Sequence, residues 1–252
     1  MMKRIVWALG ALMVAGATSA QDIDHLRAEF SVLLNGDKTR GVNILNIDRN
    51  KDRYHVHFSL AHWLLDVEQK ASFTWKDCTA VPETFSYKAK ALGVRREERL
   101  VFDAKTQMVL YQGKEGDTLL STKDGAFDSV SFFFEARCDL MAGKTSFTYP
   151  VVRDDEIKKV TFNVVGKEVV NTGIGSFESL IVERDRGNSK RRTRFWVAPE
   201  LDYQLVQISH DENRQLSVTV TLDKLSYTLV DEPTTLAEHQ TTQQTGQLPS
   251  NR

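Results

Sequence analysis

Apolar and polar residues alternate with a period of two along much of the chain. Phe30, Val32 and Leu34 alternate with Ser31 and Leu33, ahead of turn chemistry at Asn35-Gly36-Asp37. A strand over 42–47 follows, then a polar turn over 48–52. Tyr54, Val56, Phe58 and Leu60 come next and share one face of a third strand. Further strands are predicted over 72–75, 84–88, 98–102 and 108–111. Beyond the middle of the chain the pattern predicts 146–152, 159–165, 167–170, 176–183, 194–197, 203–208 and 215–227. Short strands at even spacing, joined by polar turns, imply a mainly β fold built on a long antiparallel sheet. In the last strand, Leu216, Val218, Val220 and Leu222 share a face, but Leu225 and Tyr227 carry the pattern out of phase by one. A slip of one residue would turn side chains to the wrong face, so a β-bulge or bend is predicted at Asp223-Lys224.

One segment breaks the alternation. Val130, Phe134, Cys138 and Met141 recur at three and four, which predicts a single packed helix near 128–142. Asp128 is placed to cap its first turn and Gly143 to end it in a left-handed conformation. No repeat or Pro/Gly linker divides the chain, so one β-rich domain is expected over 21–231. From 232 to 252 the chain is rich in Thr and Gln with few large apolar residues, and a disordered tail is expected there.

Composition changes this picture little. The chain has 252 residues, 41% hydrophobic and 27% charged, which is a globular profile. The net charge of -1 lacks the basic surplus that phosphate contacts require, which argues against a nucleic-acid binder. The first twenty residues change it more. Lys3 and Arg4 precede an apolar stretch over 5–17, and Thr18-Ser19-Ala20 offers small residues before Gln21. That is the layout of a cleaved secretory signal over 1–20. The stretch is shorter than the about 20 residues a membrane span needs. A periplasmic protein with no transmembrane anchor after cleavage is therefore expected. Loss of Lys3 and Arg4 would leave 31 basic against 34 acidic residues, a charge near -3.

Export to an oxidising compartment makes a Cys78–Cys138 disulfide the favoured reading of the two cysteines, stapling helix to sheet and stabilising by about 4 kcal/mol. The other reading is two thiols, at least one of them buried as a small hydrophobe.

Chemistry-bearing motifs are sparse. His55 and His57 are the best metal candidates, because residues two apart on a strand point the same way. His62, Asp52 or Asp66 would have to complete the site. The bland reading is the solvated face of a half-buried strand. Gly173-Ile174-Gly175-Ser176 lacks the lysine of a phosphate-binding loop and reads as a hairpin turn. No Gly-x-Ser-x-Gly elbow occurs, and no spacing selects a catalytic triad. No cofactor is indicated. Lys190-Arg191-Arg192-x-Arg194 is a concentrated positive run that would suit anionic headgroups, and it also suits a solvated turn and strand edge.

Three pieces of sequence resemble a family of exported bacterial envelope proteins known as domain of unknown function 3108. The first is Asp128-x-x-Ser131-x-x-Phe134-x-x-Arg137 with Gly143 after it. The second is Val165-x-Lys167-Glu168 followed by Thr172, Gly175 and Phe177. The third, the most specific, is Trp196-Val197-Ala198-Pro199-Glu200-Leu201-Asp202-Tyr203 and then Val206. Phe134 stands where the family often has tyrosine, and Gln204-Leu205 where it often has Leu-Pro. The resemblance covers about 111–210. It implies a long, curved, half-barrel-like sheet with a helix, similar in outline to lipoprotein carriers of the LolA/LolB kind, whose concavity holds acyl chains. Structural roles are expected for the motif residues. Asp128 and Ser131 suit a helix start, Arg137 a pairing with an acidic strand residue, and Trp196 and Tyr203 the closing of one end of a core.

These readings favour a non-enzymatic protein that binds a lipid-like or apolar ligand, or an envelope partner protein, in a sheet concavity. The alternatives are an enzyme acting on cell-wall or lipid material, metal-assisted through His55 and His57, and a structural assembly factor presenting a sheet edge.

Overall fold

Short polar turns between apolar-alternating segments bring most strands beside their sequence neighbours, and the chain meanders accordingly. A computed structural model describes residues 22–230 except 40, 42, 63, 64, 92, 115, 188, 214 and 215. The predicted signal over 1–20 and tail over 232–252 lie outside the described residues. The first part of the chain forms β1 (Ile23–Leu34), β2 (Asp37–Lys38), β3 (Asn43–Asn50), β4 (Arg53–His62) and β5 (Leu65–Lys76). It continues through β6 (Thr79–Ala91), β7 (Val94–Asp103), β8 (Met108–Gly113) and β9 (Gly116–Ser121). After the helix α1 (Phe132–Met141) come β10 (Ser146–Arg153), β11 (Glu156–Thr172), β12 (Gly175–Arg184), β13 (Arg192–Ala198), β14 (Gln204–Asn213) and β15 (Leu216–Leu229).

All fifteen strands belong to one sheet, in the order β10-β11-β12-β13-β14-β15-β1-β3-β4-β5-β6-β7-β8-β9, with β2 beside β1. The N-terminal strand thus lies at the centre and joins two meanders, pairing antiparallel with β15 on one side and β3 on the other. The sheet curls until its ends approach each other. Arg96 of β7 forms an ion pair with Asp154, in the turn after β10. Phe127, on the way from β9 to the helix, donates its N–H to the Pro150 carbonyl and accepts one from Val152, on the edge of β10. The curl is barrel-like, but β9 and β10 do not pair, so the sheet is not closed.

The predicted bulge is present. Glu29 faces Lys224 and Phe30 faces Leu222, so Asp223 is the extra residue and the phase of the apolar pattern shifts there. Three predicted elements are corrected. The strands read over 159–165 and 167–170 are one 17-residue strand, β11, whose register slips by one at Val165, a bulge that imitates a break. The strand read over 84–88 begins at Thr79, and Pro82 is accommodated because Glu83 bulges beside it. The edge strand β9 was not predicted, since its apolar residues Leu119 and Leu120 are adjacent and Leu119 is 61% exposed.

The helix begins four residues later than its periodicity implies. Its N-cap is Ser131, without a side-chain capping bond. Asp128 instead organises the turn just before it, accepting the N–H groups of Val130 and Ser131 at 2.7 and 2.9 Å. Gly143 ends the helix as predicted, with φ of +76° and its N–H on the Leu140 carbonyl.

Asp128 is fully buried, and that burial raises its carboxyl pKa against the pull of the amide donors. The protonated form is therefore the better tolerated one in the folded chain. Its contribution is complete below the unfolded-state pKa of about 3.9 and is lost as pH rises through the raised folded-state value. Asp128→Asn keeps an accepting oxygen and removes the charge, so it should flatten the fall in stability above about pH 4. Asp128→Ala should cost about 1 kcal/mol at low pH, and less as pH rises and the buried carboxylate becomes a burden to the wild type. Urea unfolding across that range checks both, and an unchanged pH profile for the asparagine variant would contradict the assignment.

Two apolar clusters face each other across α1. The larger contains Leu26, Phe30, Tyr54, Phe73, Trp75 and Leu222, with Phe134 and Cys138 packed on it. The smaller contains Phe132, Ala136, Leu140, Phe147, Phe162 and Val182. The Cys78–Cys138 disulfide joins the β5–β6 turn to α1 with Cα atoms 6.0 Å apart, so the staple from helix to sheet is present.

Candidate functional site: an apolar chamber under the helix

Three consecutive phenylalanines at the start of α1 divide between the two halves of the sheet, Phe134 toward one and the stacked pair Phe132 and Phe133, 4.2 Å apart, toward the other. Phe134 packs edge-on against Tyr54, Phe73 and Trp75, with ring centroids 5.3, 4.7 and 5.6 Å away. Phe132 stacks on Phe162 at 5.3 Å in the smaller cluster. Phe133, between them, meets Phe195 edge-on at 5.3 Å and remains 37% exposed. The helix therefore spans the concavity without filling it.

Under it lies a chamber of about 410 Å³. Its walls come from both halves of the sheet, including Phe30, Ile47 and Val56 on one side and Val182, Phe195 and Ile208 on the other. Gln69, Ser129, Gln204 and Arg137 are the polar exceptions beside Tyr203. The volume falls within the range of about 300–1,000 Å³ in which small-molecule sites lie, and mostly apolar walls with a few polar groups are their usual makeup.

The two most separated pieces of the family pattern meet at this chamber. The Arg137 guanidinium is 9% exposed and donates its Nε–H to the Asp202 carbonyl at 2.6 Å. Burial pulls the Arg137 pKa down, and nearby Asp202 pulls it back up. Arg137, expected to pair with an acidic strand residue, thus bonds the backbone carbonyl of Asp202 in a turn. Pro199–Leu201 form one turn of 3₁₀ helix, after which Asp202 and Tyr203 both adopt left-handed conformations, with φ of 51° and 57°. Two such residues in succession are costly for non-glycine side chains. The Arg137 bond and a 3.3 Å hydrogen bond from the Tyr227 hydroxyl to Asp202 Oδ2 hold the first of them. Tyr203, Gln204 and Leu205, which follow, line the chamber. Trp196 is buried in the larger cluster and donates its indole N–H to Glu168 at 2.6 Å, a bond between the second and third pieces of the pattern.

Other motif residues have simpler fates. His57 meets Glu68 at 3.1 Å, and Lys70 holds the same carboxylate at 2.7 Å, while His55 is exposed. Among the described residues no three histidine, cysteine or acidic side chains converge as a metal site would require, and the side chain of His62 lies outside them. The Gly173–Ile174 pair forms the β11–β12 hairpin loop, where the Gly173 N–H reaches the Leu222 carbonyl. A Cβ on Gly173 would stand 2.3 Å from the Asp223 carbonyl oxygen, so this close approach requires glycine.

The chamber itself was not anticipated residue by residue. Ile47, Val182 and Ile208 read in sequence as ordinary strand faces, and alternation cannot distinguish a face that packs solid from one that lines a void.

Among known proteins, no curated one matches the chain. A solved structure of a β-barrel-like protein, domain of unknown function DUF1849 from Brucella abortus, shares the fold. It has a TM-score of 0.53 at 12% identity, covering 83% of this chain and 100% of that chain. A family model described as "Protein of unknown function (DUF3108)" matches residues 29–221, from β1 through β15 and so across both halves of the sheet. The chain belongs to the DUF3108 family.

Proposed function

We propose that this protein binds an apolar ligand of acyl-chain type in the chamber under α1, without transforming it, and that it does so in the periplasm after loss of residues 1–20. The observation that carries the reading is the chamber of about 410 Å³, walled by aliphatic and aromatic side chains from both halves of an open sheet. One observation supports an extracytoplasmic setting, the disulfide that ties helix to sheet. The non-enzymatic part rests on the character of the walls, where Arg137 is held in a backbone bond and no nucleophile stands beside a base.

Gentle purification from the envelope followed by native mass spectrometry and lipid extraction tests occupancy. An added mass that extracts as lipid is expected, and empty protein across independent preparations would overturn the proposal. A variant locates the site. Ile208 is half-buried at the chamber wall, so Ile208→Trp should fill the void rather than crowd the core. Palmitate affinity should fall at least about tenfold, equivalent to about 1.4 kcal/mol, with the melting transition retained. Undiminished palmitate binding would place the ligand elsewhere.

A further inference from the structure

At one end of the β10–β12 strands, arginines replace the apolar residues of the inner face. Arg153 ends β10 two positions after Val151, which is 2% exposed. Arg184 ends β12 two positions after the chamber residue Val182, and its register partner across the strand is the chamber residue Phe162. Strand alternation puts each arginine on the side of the apolar residue it follows. Arg186 bends back to donate Nη2–H to Thr193 Oγ1 at 3.2 Å, and Thr193 precedes the chamber residue Phe195 by two. A pocket of about 490 Å³ opens at the same end of the hairpin, against Arg184, Arg186 and the Lys190–Arg192 run.

This cluster is not neutralised from within. Burial, with Arg153 and Arg186 adding to it, lowers the Arg184 pKa to about 10. Arg186 is lowered by burial, Arg153 and Arg191, with Glu212 opposing. The Nε–H groups of Arg184 and Arg186 are buried and make no hydrogen bond among the described residues. The nearby acids are mostly engaged. Glu183 holds Arg194 at 2.7 Å and Arg192 at 3.6 Å, and Glu212 holds Arg191 and His210. Asp185 accepts the Gly187 N–H, while Glu98 and Asp154 are both taken by Arg96. Asp211 lines the pocket as well. The pocket lining counts five cationic side chains against three carboxylates. Like charges gathered at a partly buried site, with donors left over, are stabilised by an anion, and guanidinium forks match phosphoryl oxygens.

We propose that Arg184 and Arg186 form a phosphoryl-binding site, with Arg153 adding to its positive field, so that the ligand is an amphiphile with its chain in the chamber and its phosphate on the two pocket arginines. This rests on the chamber reading, but the arginine site is separately testable. The probes are dodecyl phosphate, dodecanol and inorganic phosphate, titrated calorimetrically into the full chain and into Arg184→Gln/Arg186→Gln. Dodecyl phosphate should bind the wild type at least about tenfold tighter than dodecanol, and the double variant should lose that difference while keeping its dodecanol affinity. The difference should also shrink with added salt.

Equal affinity for dodecyl phosphate and dodecanol in the wild type would overturn the arginine site and leave the chamber standing. Arginine-dependent binding of inorganic phosphate, with no gain from the chain, would identify a free-phosphate site and overturn the amphiphile. Binding of none of the three would overturn both readings. Removing mutually repelling charges should not unfold the protein. The melting temperature, with and without phosphate, gives a second readout, because only the wild type should be raised by the anion. An equal rise in the variant would count against the site.

Discussion

Alanine at Phe134 is expected to lower the unfolding free energy by about 3 kcal/mol, the lower end of the range for phenylalanine truncation because the ring is only partly buried. The ring touches Tyr54, Phe73 and Trp75 at once, and it is the main aromatic contact between α1 and the first half of the sheet. Its loss should therefore loosen one wall of the chamber as well as the core. Chemical unfolding measures the first effect. Palmitate binding and the near-ultraviolet circular dichroism of the aromatic cluster report the second. A loss below about 1 kcal/mol would mean that the helix is held mainly from the other half of the sheet.

Replacing both cysteines, as Cys78→Ser/Cys138→Ser, should cost about 4 kcal/mol. The bridged residues are 60 apart in sequence, and the loop-entropy relation for that length sets the figure. Reductant acting on the wild type should reproduce the loss, and a cost under about 1 kcal/mol would show that the unbridged chain is already confined. The two predictions are coupled. Phe134 and Cys138 are one helical turn apart and both pack on the larger cluster. Once the staple is gone, α1 has more freedom to leave the sheet, so the combined change should fall short of the sum. A double-mutant cycle measures that shortfall, and strict additivity would contradict it. Together these contacts make α1 the wall most open to displacement, which suits a chamber that has to admit a chain.

Much of the architecture was legible because sheets and helices impress different periods on sequence. Tyr54, Val56, Phe58 and Leu60 declared a strand face, and the phase slip after Leu222 placed the irregularity at Asp223-Lys224, where Asp223 bulges. Where the reading failed, it failed for local physical reasons. A bulge at Val165 resembles a strand end, and Pro82 resembles a breaker until Glu83 bulges beside it. Asp128 has the chemistry of a cap, and it was the turn before the helix that used it.

The candidate sites were less legible. The positive run at Lys190–Arg192 stood out because its charges are adjacent, yet Arg191 and Arg192 are paired with Glu212 and Glu183. The more telling arginines, Arg153 and Arg184, stand outside that run, each followed by an aspartate. Their only signal is a charge at the next inward position of an apolar strand, after Val151 and Val182.

By itself the sequence determined the class of fold, a helix among the strands and the family, and it favoured the pairing of its two cysteines, because period, spacing and motif are properties of neighbouring residues. Only the tertiary structure decided that β1 lies at the centre of the sheet, that the curl stops short of closure, and that the helix bridges a void instead of filling it. It also decided that Arg137 grips the Asp202 carbonyl and that Arg184 and Arg186 line one pocket with the Lys190–Arg192 run. These outcomes depend on which distant surfaces meet and on the volume left between them. An alternating pattern records which side of a strand is apolar, and it carries no measure of what lies across from it.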